Sequence, residues 1–357
     1  MKTNKHYYVL LLFIVISCIG CDKNKEHITD YFSESSEKLN HKVFHFSNSE
    51  EILNPVGLMT YDSLLFVQNL RSPQFFSLIN INQEKLIRHF GNSGEGPGEF
   101  LINIQIDKVK SKQCINAPEA TLKRMYQYSI DSLLKIKNVK PKNIFQQSPN
   151  KAAQLFFHGI QQINDSIFIG MGGYTGKRFT IFNRYNNKYT YFGDFPDKSE
   201  VSLDFKGSAY QGAIKYNEYS QKLVFISNTS EMLEFYDCKN DRMNLLKGYY
   251  TSIPVYKFVE EGGTRHIASF CPGKHFMSLT YTKNYVYILY VQKEDDASIF
   301  EKCKGDCILV FDWKGKPIKK YQLDCEVKTI EINEDGSRIY AIRNNPDPEI
   351  IYFNIGA

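Results

Sequence analysis

From residue 42 onward the sequence repeats one phrase: an alternating apolar run, a tight turn rich in Asp, Asn or Ser, then a second, a third and a fourth run. The period is roughly 45–60 residues, and a unit of four short strands at that spacing is a propeller blade. In the first copy, residues 56–59 lead into Asp62-Ser63, then 64–68, 74–79 and 85–90. Another copy runs 158–163, Asn164-Asp165-Ser166, 167–171, 178–184 and 188–192. Further copies begin at Gly212, His275 and Val327, and residues 102–137 hold a weaker one, which makes six. The last copy has three strands before the chain ends, while residues 42–46, Lys-Val-Phe-His-Phe, form a strand with no hairpin partner. The expectation is an all-β, six-bladed propeller over residues 42–357, closed by this N-terminal strand. Closure would remove the open edge that invites aggregation. Composition agrees: 42% of residues are apolar, and 24 Tyr and 26 Phe stand against one Trp, a balance that suits half-buried pleated surfaces. No long helical periodicity is present. The one arguable helix, 119–137, fits a strand better, because Tyr126, Tyr128 and Ile130 alternate.

The first residues read differently. Lys2 and Lys5 form a basic start, and residues 7–16 are apolar at the length of a signal-peptide core, short of a membrane span. Val15-Ile16-Ser17-Cys18 and Cys18-Ile19-Gly20-Cys21 follow, and each resembles the lipobox at which a cysteine is acylated and the leader removed. Cys18 is favoured by Val15 three places before it. Cys21 has Gly20 before it and a polar run after it. Residues 1–20 are therefore expected to be a lipoprotein signal peptide, with cleavage before Cys18 or Cys21. Residues 21–41, polar and rich in Ser, Glu, Lys and Asn, are expected to be a flexible tether. Two or three acyl chains on one cysteine hold a protein firmly to a membrane, which implies a cell-envelope location, on the outer membrane or facing the periplasm. Removing Lys2 and Lys5 lowers the net charge from +5 to +3, too mild and dispersed for a nucleic-acid partner. Export places the other six cysteines in an oxidising space. Cys303 and Cys307 could close a small disulfide loop or remain structural thiols, and no second Cys or His pair stands at zinc spacing.

The run Gly91-Asn92-Ser93-Gly94-Glu95-Gly96-Pro97-Gly98-Glu99-Phe100 resembles the motif that follows the first blade in TolB-like six-bladed propeller lipoproteins of Bacteroidota, and more distantly NHL repeats. The resemblance implies the propeller fold and an anchored location, and it carries no catalytic residues. The glycines invite a phosphate-loop reading, but the Lys-Ser/Thr of such a loop is missing and Glu95 and Glu99 would repel phosphate. A linker between blades, with Phe100 plugging the junction, is preferred.

Few side chains point to chemistry. His158 and His275 open first strands of two blades, where they could line the channel and touch a ligand; an isolated strand histidine is more often structural. Asp62-Ser63-Leu64 and Asp165-Ser166-Ile167 resemble the O-glycosylation sequon of exported Bacteroidota proteins, and Asp-Ser also makes tight turns, so both readings stay open for Ser63 and Ser166. Tyr174, Tyr249 and Tyr250 are the aromatics expected to be exposed for sugar stacking. No catalytic motif, metal site or cofactor motif is found. The leading expectation is a non-enzymatic module, anchored to the membrane, that binds an envelope protein, a small ligand or a glycan. The alternative is a propeller-type lyase or hydrolase acting on glycans at the channel mouth. A third class is a structural subunit of an envelope complex.

Overall fold

The structure is a computed structural model that describes residues 27–33, 35–45, 54–70, 72–102, 105–147, 159–171, 176–197, 206–207, 209–239, 242–261, 264–344 and 346–356. Two short strands come first, β1 (Glu37–Leu39) and β2 (His41–Val43). Six sheets then follow one another along the chain, each an antiparallel meander, and β1 and β2 add to the last two. The first holds β3 (Pro55–Tyr61), β4 (Leu64–Asn69), β5 (Gln74–Asn80) and β6 (Lys85–Asn92). The second holds β7 (Asp107–Val109), β8 (Cys114–Glu119), β9 (Arg124–Ser129) and β10 (Lys142–Gln146). The third holds β11 (Gln161–Gln162), β12 (Ile167–Met171), β13 (Phe179–Asn183) and β14 (Lys188–Phe192). The fourth holds β15 (Gly212–Asn217), β16 (Lys222–Ser227), β17 (Met232–Lys239) and β18 (Arg242–Tyr250). A separate hairpin, β19 (Tyr256–Glu261) and β20 (Thr264–Ser269), precedes the fifth blade. That blade holds β21 (Lys274–Tyr281), β22 (Tyr285–Gln292), β23 (Gly305–Asp312) and β24 (Pro317–Val327). The sixth holds β25 (Thr329–Ile332), β26 (Arg338–Asn344) and β27 (Pro348–Asn354). The fold is an all-β six-bladed propeller.

Both faces of each blade are covered by its neighbours, so middle strands are apolar without alternation; all of Leu64–Asn69 is buried. Six apolar clusters result among the described residues, one at each junction between blades. Phe100 is fully buried at the junction of the first two blades. It packs edge-on against Phe76 and Tyr126, with ring centroids 5.4 and 5.2 Å away. Gly91 lets it in: φ there is +73°, and a Cβ would stand 2.5 Å from the Phe76 ring.

The N-terminal segment departs most from expectation. Residues 27–41 fall inside the expected tether, yet they are built into the ring. Ile28 is buried in the cluster between the fourth and fifth blades, and Leu39 in that between the fifth and sixth. Phe44 belongs to the cluster between the sixth and first blades. β1 adds to the fifth blade, parallel to β24. β2 pairs antiparallel with β27 as the outer strand of the sixth blade, and the Phe44 amide donates to Ile350 O at 2.9 Å. Phe46 lies outside the described residues, so the strand read as 42–46 is described only at its start.

The second blade also differs. β9 ends at Ser129, whose hydroxyl caps a short helix, α1 (Ile130–Lys135), by accepting from the Ser132 amide. Ile130 and Leu133, three apart, bury one side of it. The outer strand β10 then falls beyond residue 137, where the sequence placed the end of the unit.

Candidate functional site

Every inner strand begins on one face of the ring, where the links between blades lie, and ends at a turn on the other. These are called here the loop face and the turn face. The short inner strands bring polar residues from all six blades to the axis, where two carboxylates gather them. Asp107 of the second blade accepts from Gln161 Nε2 of the third at 2.7 Å and from Gln105 at 3.2 Å, and it pairs with Lys215 of the fourth. Burial raises its carboxyl above the ordinary range despite Lys215. Glu331 of the sixth blade accepts from the Thr60 amide of the first at 2.9 Å and from Thr280 Oγ1 of the fifth at 2.7 Å. Each hub thus joins three consecutive blades. Lys108 stands between them. It donates to Thr60 O at 3.3 Å and lies 5.4 Å from the Tyr281 ring centroid. Burial lowers its ammonium against the pull of Glu331 and Glu334.

On the loop-face side of this layer the tunnel is a cavity of about 200 Å³, lined by residues such as Leu58, Ala213, Met277 and Ile330. On the other side it opens into a bowl of about 270 Å³ on the turn face, walled by Lys108, Lys110, Glu218, Tyr219, Lys283 and Glu334. A wider groove of about 730 Å³ continues from Tyr219 and Glu218 past Lys112, Gln162 and Asn164 towards the third blade. The turn Lys110-Ser111-Lys112 organises this surface. Lys110 pairs with Asp62 at 2.8 Å and with Glu334, while Lys112 pairs with Asp165 on the other side. Burial works against the Lys110 ammonium, but its hydrogen bonds to Asp62 and Glu334 outweigh it and hold the group above its ordinary range. Tyr219 is 62% exposed, its ring 5.5 Å from Lys283 Nζ. The result is a concave site with paired charges along its walls and one exposed aromatic ring.

The residues singled out from the sequence fall mostly elsewhere. Cys18, Cys21, His158 and Tyr174 lie outside the described residues. His275 is buried, and its ring makes local contacts. Nδ1 donates to Pro272 O at 3.0 Å and Nε2 lies 4.0 Å from Cys271 Sγ. Burial lowers its basicity. It does not line the tunnel cavity, whose contributions from β21 are Met277, Ser278 and Leu279. Tyr249, expected to be exposed, is buried with its hydroxyl donating to Gly315 O at 2.6 Å, whereas Tyr250 is exposed as expected, its hydroxyl donating to Glu234 at 2.5 Å.

Ser63 and Ser166 both sit in turns on the turn face. Ser63 O accepts from the Ile81 amide at 2.9 Å, and Ser166 Oγ donates to Asn164 Oδ1 at 2.9 Å. The aspartates before them, Asp62 and Asp165, are the two that hold Lys110 and Lys112. Cys303 and Cys307 are not bridged. Cys307 points into the core, where burial pushes its thiol up to about 12, while Cys303 is exposed. His41, Asp324 and Cys325 approach one another closely enough for a metal, but His41 Nδ1 lies 2.9 Å from Asp324 and the Arg343 guanidinium donates to Nε2 at 2.8 Å. A cation beside that nitrogen argues for a hydrogen-bonded joint. Sequence reasoning missed the bowl itself, although the turn after each first strand marks its residues.

Comparison with known proteins agrees with the architecture. No curated protein matches the sequence. A crystal structure of a member of the DUF4221 family from Bacteroides vulgatus superposes with a TM-score of 0.54 at 12% identity, covering 90% of this chain and 94% of that one. A putative exported protein from Bacteroides fragilis gives the same score and identity over 90% of this chain and 99% of its own. At such identity these likenesses speak for the fold. The profile described as TolB-like 6-blade propeller-like matches residues 30–335. With six blades in the ring and most of the chain matched, the protein belongs to the TolB-like six-bladed propeller family.

Proposed function

We propose that the protein is a lipid-anchored envelope module that binds a glycan or a similar polar ligand in the bowl and groove of its turn face. The observation that carries this reading is the exposed Tyr219 ring at the meeting point of the two concavities, flanked by Glu218, Lys110 and Lys283. A flat aromatic face with hydrogen-bonding groups at its rim suits a sugar ring, whose apolar face stacks while its hydroxyls are met at the edge. Paired lysines and carboxylates keep the wall near neutral, which favours a polyhydroxylated ligand over a highly charged one. The two hubs brace the site from below, so little ordering is left for the ligand to impose. Anchoring is read from the paired lipobox at Cys18 and Cys21.

The test is calorimetric titration of the protein with a panel of neutral and acidic envelope oligosaccharides. Tyr219→Ala is expected to weaken the best binder up to about tenfold, in line with the ~0.5–1.5 kcal/mol of a stacked aromatic, and to leave the melting temperature unchanged. Binding unaffected by the substitution would place the ligand elsewhere. Turnover of the oligosaccharide would replace the binding module with an enzyme.

A further inference from the structure

The chain enters the ring at a defined point. His27 lies on the loop face at the junction of the fourth and fifth blades. Lys274 Nζ donates to its Nε2 at 2.8 Å, and its Nδ1 donates to Glu231 at 3.1 Å. The next residue is tied down as well: the Ile28 amide donates to Glu231 at 3.1 Å, as does the Tyr290 hydroxyl at 2.5 Å. Cys21 and Cys18 stand six and nine residues before His27. An extended chain spans at most about 3.6 Å per residue, so an acyl group on either cysteine keeps this point within about 20–30 Å of lipid.

The same corner of the loop face carries a group of bare apolar side chains. Phe300 is 83% exposed, Val255 63%, Ile299 55% and Phe270 48%. Val255 and Phe270 are backbone neighbours, and Phe300 stands on the same face beside Lys304, Glu326 and Arg343, at the edge of a groove towards the sixth blade. The Phe270 amide donates to Val255 O at 3.0 Å, and Lys302, from the short helix α2 (Ile299–Lys302), donates to Cys271 O at 3.1 Å. Lys274, which holds His27, follows four residues after Phe270. Leu70 and Ile102 are also exposed on this face, in loops of the first two blades. Large exposed apolar groups gathered on one face mark a contact surface. Here the nearest surface is set by the anchor.

We infer that the loop face docks on a lipid bilayer, with Phe300 and its neighbours entering the interfacial region. The inference rests on the anchored reading above. It fixes the orientation of the whole ring: the turn-face bowl points away from the membrane. Glu294, Asp295 and Asp296 share the connection that carries Phe300 with Lys293, Lys302 and Lys304, so its charge is mixed and the apolar side chains supply the attraction.

The experiment uses the full chain purified with its native N-terminus and reconstituted into phosphatidylcholine vesicles with and without bromine on the acyl chains. Trp313, the one tryptophan, is buried and sets the baseline. Phe300→Trp and Ile299→Trp probe the patch, and Tyr285→Trp probes the turn face. The expected result is loss of most of the added emission at 300 and 299 in brominated vesicles and no loss at 285. Mass spectrometry of the N-terminal peptide, on the same samples, reads acylation separately. Acylated chain with no contrast between 300 and 285 overturns the docking and leaves the anchor standing. Unacylated chain that still shows the contrast overturns the anchor and supports the docking. Unacylated chain without contrast at saturating vesicles overturns both.

Discussion

Arg178 and Glu234 form an ion pair across the junction of the third and fourth blades, both almost fully buried and only 2.6 Å apart. Tyr236 and Tyr250 hydroxyls complete the carboxylate at 2.7 and 2.5 Å, and Arg178 Nε donates to Asp194 O at 2.8 Å. Removing one member of such a pair strands the other charge, at a cost of about 3–5 kcal/mol. Glu234→Leu is therefore expected to lower the urea midpoint sharply, whereas Arg178→Met with Glu234→Leu should recover part of the loss. A double variant no better than the single would mean that the hydroxyl network, rather than the stranded guanidinium, sets the penalty. His275 gives the pH dependence. Burial lowers its folded pKa below the ordinary 6.5, so the unfolded chain binds a proton that the folded one refuses. Its contribution is present above pH 6.5 and fades as pH falls through that value towards the depressed folded one. Melting temperature should drop between pH 7.5 and 5.5, and His275→Gln should flatten that slope. A slope identical in the variant would assign it to other groups.

Among the elements, β2 has the most to lose per residue. It is three residues long, yet it covers the β27 edge. Deleting residues 41–43 is expected to bare that edge and yield soluble aggregates on size exclusion; a monomer with the parent's melt would show the edge to be harmless. The blades were legible in the sequence because alternation and Asp-Ser, Asn-Asp or Asp-Gly turns act locally. Of the strap from His27 to Phe44, the part up to Leu39 was not: its anchors, Ile28 and Leu39, are isolated apolar residues in a polar stretch, and only the ring shows which cavities they fill. α1 was missed because Tyr126 and Tyr128 prolong a strand pattern up to Ile130. The bowl was hidden for a related reason. Lys110, Glu218, Tyr219, Lys283 and Glu334 read as ordinary turn residues, and their convergence follows from the closed geometry of the ring rather than from any local spacing.

For the whole molecule, the two hubs explain how a ring with a polar axis holds its register. Asp107 ties the second, third and fourth blades, and Glu331 ties the fifth, sixth and first. Between these halves the apolar junctions carry the adhesion. The strap adds a connection of another kind, because it seals three junctions with residues from the opposite end of the chain. That has a consequence in time. Synthesis delivers residues 27–44 early, but their partners on β24 and β27 come last, some three hundred positions later. Contacts so distant in sequence pay their loop-closure entropy late and slow the final step. Until the last strand emerges the strap has nowhere to sit, so the chain would wait as an open arc; on the anchored reading proposed above, completion of the ring would be the event that draws the domain down beside its anchor.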